Sequence, residues 1–517
     1  MLNVDNRTSE TQNKVLSLPA LPVLSSMIVV TIFVFAFHFS FTKTKFLFDD
    51  AADYFRASQG QAIATYLNVN SDSPVELYRL RKQQGFAGHP WDYLYSRNDD
   101  AALRHFHVPF SFYMMDVAAD ISKTAEAQRI VVSIVTAITC GLIAGGLISM
   151  DVPIALSILF AVLAGIQSRF TEVSVDPTPH SWYMLFAVIA LFSTSRYLSA
   201  PKFWSLAVAA ISLGCAVATL EFSLELIASI FFSVAVLWCM GKWSISMLKQ
   251  NASVWLRAVL LFLLTTFALW PGGWIRGGYF ESYGVLGATV LLKNHSAFGE
   301  VVTAHSIYDK LFYAHWGLAC LAWITLAFGI FLVIKKAASI PSIVFGIYTL
   351  VSLGLGIADH FRLSTYISEF LLFFLIACAF IVRDTLRLMP VKYQQVLMVA
   401  SCVLVAAVSF QEWNLRKNSF IDRPWLAQII DGVNSSVPKG SVLLVNTNWE
   451  TYDLYLPGYC FEPTVAKNNL IPRIPSRCTD VQYWLLNNLK SSDAQTVLVH
   501  SYPTYAPGKD VLLYKVR

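Results

Sequence analysis

Long apolar runs divide this sequence and limit what it can fold into. Most of them are long enough for an α-helix to cross about 30 Å of hydrocarbon. Hydrophobic residues make up 56% of the 517 residues and charged residues only 14%. The sequence therefore predicts a mainly α-helical, polytopic transmembrane bundle of about eleven spans. The runs lie at residues 21–41, 129–149, 152–168, 180–195, 203–220, 223–240, 254–270, 314–334, 341–357, 366–382 and 394–410.

The distribution of lysine and arginine predicts the orientation of the spans. If the N-terminus is cytoplasmic, the short loops on that side hold eleven basic residues, whereas the short loops on the other side hold only Arg169 and Arg362. Cytoplasmic loops of membrane proteins carry such an excess of positive charge. We therefore expect a multi-pass protein of the inner or plasma membrane with a cytoplasmic N-terminus. Residues 42–128, residues 271–313 and the C-terminal part are then extracytoplasmic.

The C-terminal part has a different pattern from the rest of the chain. Short β-rich runs alternate there with stretches of helical spacing, which predicts a small extracytoplasmic α/β domain over residues 412–517, after a transmembrane module over residues 1–411. If this domain is exported, Cys460 and Cys478 could form a disulfide. It has no catalytic signature, so its expected role is acceptor binding, shielding of the active site or a structural cap. The β-rich runs are 441–445, 496–499 and 511–514, and the helical stretches are 424–437 and 480–489.

Four polar groups lie on the predicted outer side of the membrane. Each has a structural explanation, such as an acidic helix start, an interfacial histidine, a turn before proline or an arginine that reaches from a span to the surface. Independent structural causes would not be expected to place all four on one side. They are Asp49-Asp50 after the first run, Arg104 to Pro109 before the second, Asp176-Pro177 in a short outer loop, and Asp359 to Arg362 between the ninth and tenth runs.

The order of these elements resembles the GT-C superfamily of integral-membrane glycosyltransferases. The resemblance consists of an acidic pair at the head of a large first outer loop, a His-x-Pro stretch before the second span and an Asp-Pro in the second outer loop. Trp270-Pro271-Gly272-Gly273, after the seventh run, is similar to a Trp-Pro element of bacterial members. The most similar branch contains protein O-mannosyltransferases, the lipid A aminoarabinose transferase and RgtA/B/C/D-type enzymes. It implies a polyprenyl-phosphate-linked sugar donor.

The resemblance implies a catalytic base in the acidic pair. It places the base at Asp49, with Asp50 beside it and also able to serve, and it matches Asp176 to the second acidic motif. A sugar phosphate already carries a competent leaving group, so the reaction needs one base for the acceptor hydroxyl and cations for the phosphate. Glycoside hydrolysis, in contrast, needs a second carboxylic acid. A divalent metal between these aspartates is chemically conceivable, but no metal or other cofactor is expected.

Asp176 and the remaining candidate residues are expected to bind substrate. Arg362 matches the cation that holds the donor phosphate, and arginine can bind phosphate through two parallel hydrogen bonds. His107 matches the histidine of a His-Pro-Pro-like element, in which the middle residue here is Val108. Arg104 and His360 lie beside these two residues and are further candidates.

The leading hypothesis is transfer of one sugar from a polyprenyl-phosphate carrier to an extracytoplasmic lipid, glycan or protein, with inversion at the anomeric carbon. One alternative is a transporter or flippase of lipid-linked sugars, although such proteins often have internal repeats and this sequence shows none. A second alternative is an oligosaccharide polymerase or ligase, which the acidic pair after the first span argues against. The expected partners are membrane lipids, the donor and an envelope acceptor. The net charge of +5, spread over short loops, does not indicate nucleic acid binding.

Overall fold

The computed structural model of the chain describes most of the apolar runs and most of the C-terminal part. The described residues are 20–42, 55, 108–122, 124–167, 175–244, 251–275, 279–280, 283, 315–358, 363–417, 424–446, 449–467, 469–472, 480–487, 495–503 and 510–517.

Helices occupy all of the predicted apolar runs. Within the described ranges, α1, α3, α8, α10 and α13 are long and apolar enough to cross a membrane. The helical bundle of a multi-pass membrane protein is thus confirmed, whereas the number of spans stays a prediction. The helices are α1 (Ala20–Phe39), α2 (Phe110–Ile121), α3 (Ala125–Ser149), α4 (Ile154–Ile166), α5 (Pro179–Ser199), α6 (Phe203–Thr219), α7 (Ser223–Cys239), α8 (Ala252–Leu269), α9 (Pro271–Ile275), α10 (Trp316–Ile334), α11 (Ile340–Ala358), α12 (Leu363–Leu388) and α13 (Val391–Lys417).

Helix α12 lies in the interior of the bundle. All of its residues from Glu369 to Phe380 are buried. It packs against α11, α10 and α4. A helix that is enclosed on every side can carry polar groups that would be costly against lipid, and α12 carries both a buried glutamate and a buried arginine.

Helix α1 packs against α3 across two glycines. Gly141 and Gly145 are four residues apart on one face of α3. A Cβ atom added at Gly141 would lie 2.2 Å from Thr31 Oγ1, and one added at Gly145 would lie 2.6 Å from Met27 Sδ. Small residues at this spacing let two helix backbones approach closely in a membrane. Helix α1 therefore packs closely against the second half of α3, and Arg129 lies near the start of α3.

Polar contacts between α12 and two connections of the bundle mark one of its two ends. At one end, which we call the basic end, Arg383 donates hydrogen bonds to the carbonyl of Met150 and the hydroxyl of Ser339. Asp384 Oδ2 accepts from the backbone N–H of Ser339 at 2.7 Å and from Ser342 Oγ at 2.5 Å. These bonds connect the α3–α4 turn to the connection between α10 and α11. The opposite end, where α3, α5, α7 and α12 begin, is called the Asp176 end.

The C-terminal part forms a mixed β-sheet with its own hydrophobic core. The six strands lie in the order β3-β2-β1-β4-β6-β5, in which β1 is parallel to β2 and β4 and the other pairs are antiparallel. This confirms the predicted α/β character, whereas the boundary at residue 411 stays a prediction. The elements are α14 (Pro424–Ser436), β1 (Val442–Val445), α15 (Trp449–Tyr455), β2 (Cys460–Lys467), β3 (Asn469–Pro472), β4 (Tyr483–Asn487), β5 (Thr496–Tyr502) and β6 (Val511–Val516).

One element predicted for this part was wrong. The helical stretch expected at residues 480–489 contains strand β4, which pairs with β1 on one side and β6 on the other. Tyr483, Leu485 and Leu486 are all buried. A strand that is covered on both faces has a continuous apolar run instead of an alternating one, so its periodicity does not separate it from a buried helix.

Cys460, at the start of β2, is disulfide-bonded. Cys478, its partner in the sequence prediction, lies outside the described residues. The free cysteines among the described residues are Cys140, Cys215, Cys239, Cys320, Cys378 and Cys402.

We expect denatured protein purified without reductant to react with six maleimide equivalents, and with eight after reduction, because two of the eight cysteines are bonded. Mass spectrometry of the alkylated chain measures both numbers. The Cys478→Ser variant should show all seven remaining thiols with or without reductant. In the control variant Cys239→Ser, reduction should still add two thiols. Eight reactive thiols in the denatured, unreduced protein without substitutions would contradict the disulfide.

Candidate functional site

Among the site residues predicted from the sequence, the structure describes Asp176. The assigned roles of the others therefore stay predictions. Two described residues adjoin them, because Val108 follows His107 and Leu363, at the start of α12, follows Arg362. The predicted site residues that lie outside the described residues are Asp49, Asp50, Arg104, His107, His360 and Arg362.

Asp176 forms a buried ion pair with an arginine on another helix. Its Oδ1 lies 3.0 Å from Nε of Arg129, and the two side chains are 9% and 0% exposed. Arg129 lies near the start of α3, whereas Asp176 precedes α5. Thr178, between Pro177 and Pro179, has an extended backbone with φ −125° and ψ 157°, the conformation favoured before a proline. The two prolines thus delay the start of α5 and leave Asp176 beside α3.

The second pair of the site joins the first turn of α5 to α12. His180 Nδ1 lies 2.8 Å from Glu369 Oε1, and both side chains are buried. The imidazole ring is also close to the ring of Phe222, with 5.6 Å between the centroids. The second carboxylate oxygen of Glu369 has no hydrogen-bond partner in the described part of the chain. A buried acceptor that is left without a donor is costly, so this oxygen is a candidate contact for a ligand or a proton.

A tyrosine pair and a second glutamate extend the site. The hydroxyl groups of Tyr183 and Tyr348 are 2.9 Å apart, and Tyr183 also donates to the carbonyl of Phe222 at 3.2 Å. Glu225, in the first turn of α7, is close enough to interact electrostatically with Glu369 and with both tyrosines. We call Arg129, Asp176, His180, Tyr183, Glu225, Tyr348 and Glu369 the buried polar cluster.

The buried polar cluster has an excess of acidic groups. It contains three carboxylates, one arginine and one histidine, all of them buried at the Asp176 end of the bundle. Ionisable groups inside a membrane protein are costly and are a functional-site hypothesis by default. Carboxylates accept hydrogen bonds from hydroxyl groups, and an arginine binds anions. Groups of this chemistry are suited to hydrogen bonds with hydroxyl groups and anions.

No group of three or more His, Cys, Asp or Glu side chains is arranged to hold a metal ion within the part of the chain that the structure describes. This part excludes Asp49 and Asp50, and the expectation that no metal is needed stays a prediction.

Sequence reasoning missed most of the buried polar cluster, although a signal was present for four of its members. The ionisable residues that lie inside predicted apolar runs are Arg129, His180, Glu225 and Glu369. An ionisable residue inside a span requires a partner or a function, and this rule alone would have selected them. The two tyrosines had no such signal, because aromatic residues are common in apolar helices.

Comparisons with known proteins identify the fold. No protein-family model matches the chain, and no curated protein matches it. The solved structures that match include ArnT from Cupriavidus metallidurans in the apo state, with a TM-score of 0.54 and 11% identity over 96% of this chain and 98% of that chain. The same enzyme bound to undecaprenyl phosphate matches with a TM-score of 0.50 and 11% identity over 95% and 97%.

Similarity at this level of identity concerns the fold, and it extends over both the helical bundle and the C-terminal sheet. The order of short motifs in the sequence led to the same fold. The chain therefore has the GT-C fold seen in ArnT.

Proposed function

We propose that this protein is an integral-membrane glycosyltransferase that moves a single sugar from a polyprenyl-phosphate carrier to an extracytoplasmic acceptor. The fold shared with ArnT along nearly the whole of both chains carries this proposal, and one of those ArnT structures is bound to undecaprenyl phosphate. The buried polar cluster supports it, because a helical bundle with an acidic, hydrogen-bonding interior at one end is suited to a sugar.

We propose further that the Asp176 end faces away from the cytoplasm. Arg383, Arg387 and Lys242 all lie at the opposite, basic end, as the excess of positive charge in cytoplasmic loops requires. The disulfide of Cys460 supports the same orientation, because disulfides form and persist in oxidising compartments. With this orientation, α13 leads out of the membrane into the C-terminal sheet.

The proposed reaction is an inverting displacement. The acceptor hydroxyl attacks the anomeric carbon, the bond from that carbon to the phosphate oxygen breaks, and the hydroxyl proton passes to Asp49 or Asp50. Arg362 binds the departing phosphate, and Arg104, His107 and His360 bind the donor. One base and one anion-binding cation are sufficient, because the phosphate leaves without being protonated by a carboxylic acid.

Asp176 has a different role from the acidic pair in this proposal. Its carboxylate is already bound to Arg129, and both side chains are buried. The ion pair fixes the segment before α5 against α3, and His180 and Tyr183 follow in the first two turns of α5. We therefore infer that Asp176 positions the sugar-binding face of α5.

The proposed function is tested with purified protein in liposomes. The liposomes contain a polyprenyl-phosphate-linked donor whose sugar carries the label. We expect a single labelled sugar to be transferred to each acceptor molecule in extracts of the cell envelope. Each transfer should release one molecule of unlabelled polyprenyl phosphate. Mass spectrometry of the product and thin-layer chromatography of the carrier measure both. Movement of the intact donor across the bilayer without cleavage would instead identify a flippase, and transfer of a whole oligosaccharide would identify a polymerase or ligase.

A further inference from the structure

The turn between α6 and α7 contains a buried glutamate. Leu220, Glu221 and Phe222 form this turn, and their exposed fractions are 0%, 1% and 4%. Glu221 Oε1 accepts a hydrogen bond of 2.9 Å from the backbone N–H of Val108, which is itself fully buried. A glutamate in a tight turn between two membrane helices is normally exposed, because burial of a carboxylate is costly unless it is bound. This one binds the part of the first large loop, residues 42–128, that leads into α2.

The same turn also contacts the second large loop, residues 271–313. The hydroxyl of Tyr283 lies 2.7 Å from Ser223 Oγ and donates to the carbonyl of Val217 at 2.8 Å, so it contacts the chain on both sides of Glu221. Val217 and Val108 pack in one hydrophobic cluster with Trp270 and Tyr279. We call Val108, Val217, Glu221, Trp270, Tyr279 and Tyr283 the loop hub.

The Trp-Pro-Gly-Gly element of the sequence belongs to the loop hub. Trp270 and Tyr279 meet edge to face, with 4.8 Å between the ring centroids. A Cβ atom added at Gly273 would lie 2.5 Å from Trp270 Cε3 and 2.8 Å from Tyr279 Cδ2. The glycine is therefore required for the approach of these two rings. The element builds the start of the second large loop around Trp270.

The hydroxyl of Tyr283 keeps its proton in this environment. Burial raises the pKa of Tyr283 well above its ordinary value, and the negative charge of Glu221 raises it further, whereas the hydrogen bond with Ser223 lowers it. The net effect is a neutral hydroxyl group that remains a donor to the carbonyl of Val217. Tyr283 therefore remains able to donate the hydrogen bond that joins α6 to the second large loop.

We infer that Glu221 is a positioning residue, which couples the segment of the first large loop just before α2 to the start of the second large loop through the loop hub. Val108 directly follows His107, and Arg104 lies four residues before it. The bond to Val108 therefore fixes the backbone at the point where the predicted donor-binding segment enters α2. The inference rests on the proposed function only where enzyme activity is the readout.

Hydrogen exchange at the Val108 amide tests the coupling directly. Pro109 has no amide hydrogen. In short peptides around this position, few other amides therefore contribute to the measured exchange at Val108. We expect Glu221→Ala to speed exchange at Val108 by about 10- to 100-fold, as for loss of a hydrogen bond to a charged acceptor. Glu221→Gln keeps an acceptor oxygen and should remain within about threefold of the native rate. Glu126→Ala, at an exposed glutamate near the start of α3, is the matched control and should have no effect.

A milder variant covers the case in which Glu221→Ala does not fold. Tyr283→Phe removes one hydroxyl group and keeps the ring, so the cluster around Trp270 stays packed. If the loop hub couples the two loops, exchange at Val108 should rise by about threefold or more in Tyr283→Phe, as for loss of a neutral hydrogen bond. Native exchange at Val108 in either Glu221→Ala or Tyr283→Phe would overturn the coupling.

Kinetics test the positioning role separately. We expect Glu221→Ala to raise the KM for the lipid-linked donor with a smaller change in kcat, and Glu221→Gln to restore the native KM. A general loss of folded protein would instead lower kcat and leave KM unchanged. A native KM in Glu221→Ala with fast Val108 exchange would overturn the positioning role. If the native protein transfers no sugar, the proposed function fails, whereas the exchange experiment still decides the coupling.

Discussion

Replacement of Arg129 by alanine is expected to destabilise the folded protein by about 3–5 kcal/mol, because it removes the positive charge from a buried ion pair. The pair with Asp176 is buried on both sides, with side chains that are 0% and 9% exposed. Asp176 cannot move to water without displacement of the segment before α5. The free energy of unfolding, measured by SDS titration in mixed micelles with a native-state fluorescence signal, gives the size of the effect.

The control for this variant lies at the other end of the same helix. Asp151, just after α3, pairs with Arg387 at 3.1 Å, but these side chains are 63% and 53% exposed. Arg387→Ala should therefore cost at most about 1 kcal/mol, the usual worth of a surface ion pair. Equal losses in Arg129→Ala and Arg387→Ala would contradict the role assigned to burial.

A double variant separates stability from function at this pair. Arg129→Leu with Asp176→Leu removes both charges, and replacement of a whole buried pair by apolar side chains is often neutral or stabilising. We expect the double variant to regain much of the lost stability while sugar transfer remains impaired. Native activity in this variant would show that Asp176 contributes only to the fold.

If the catalytic base proposed at Asp49 or Asp50 is assigned correctly, its replacement by asparagine is expected to lower kcat by about 10²- to 10⁴-fold, the usual contribution of a general base. Asp49→Asn and Asp50→Asn are measured separately, because the two neighbours compete for this role. Asparagine keeps the size of the side chain and removes the proton acceptor, so the folded structure should be preserved. Single-turnover transfer from a labelled donor measures the chemical step without product release.

Asp53→Asn, three residues after the pair, is the matched control because it changes the charge of the same segment by the same amount. It should retain kcat within a few-fold. If both Asp49→Asn and Asp50→Asn transfer sugar at the native rate in stably folded protein, the base has been assigned to the wrong residues.

The bundle could be predicted because lipid imposes one rule on every span. A backbone in hydrocarbon must satisfy its hydrogen bonds internally, so each long apolar run forms a helix whatever its neighbours are. This rule does not apply to strand β4 in the C-terminal sheet. A short apolar run such as Tyr483 to Leu486 forms a helix or a strand according to the elements that pack against it. Its position between β1 and β6 depends on residues distant in the sequence.

The site was predictable only where its residues stand out locally. Asp176 before a proline could be recognised, but its partner Arg129 lies 47 residues earlier, and nothing in the intervening sequence indicates the pair. The same holds for His180 and Glu369, which are 189 residues apart. Glu221 has no local signal at all, because a glutamate in a short turn is unremarkable until its burial is known. Pairing of this kind is set by helix packing.

The polar contacts at the basic end also affect how the chain is built. Synthesis proceeds from the N-terminus, so Met150 and Ser339 are made before Arg383. The hydrogen bonds from Arg383 to these two residues cannot form until α12 has left the ribosome. The α3–α4 hairpin and the α10–α11 hairpin are thus joined by a segment that arrives after both of them. A nascent chain released before that point would lack these hydrogen bonds, and only a translation product that extends past α12 can close this end of the membrane domain.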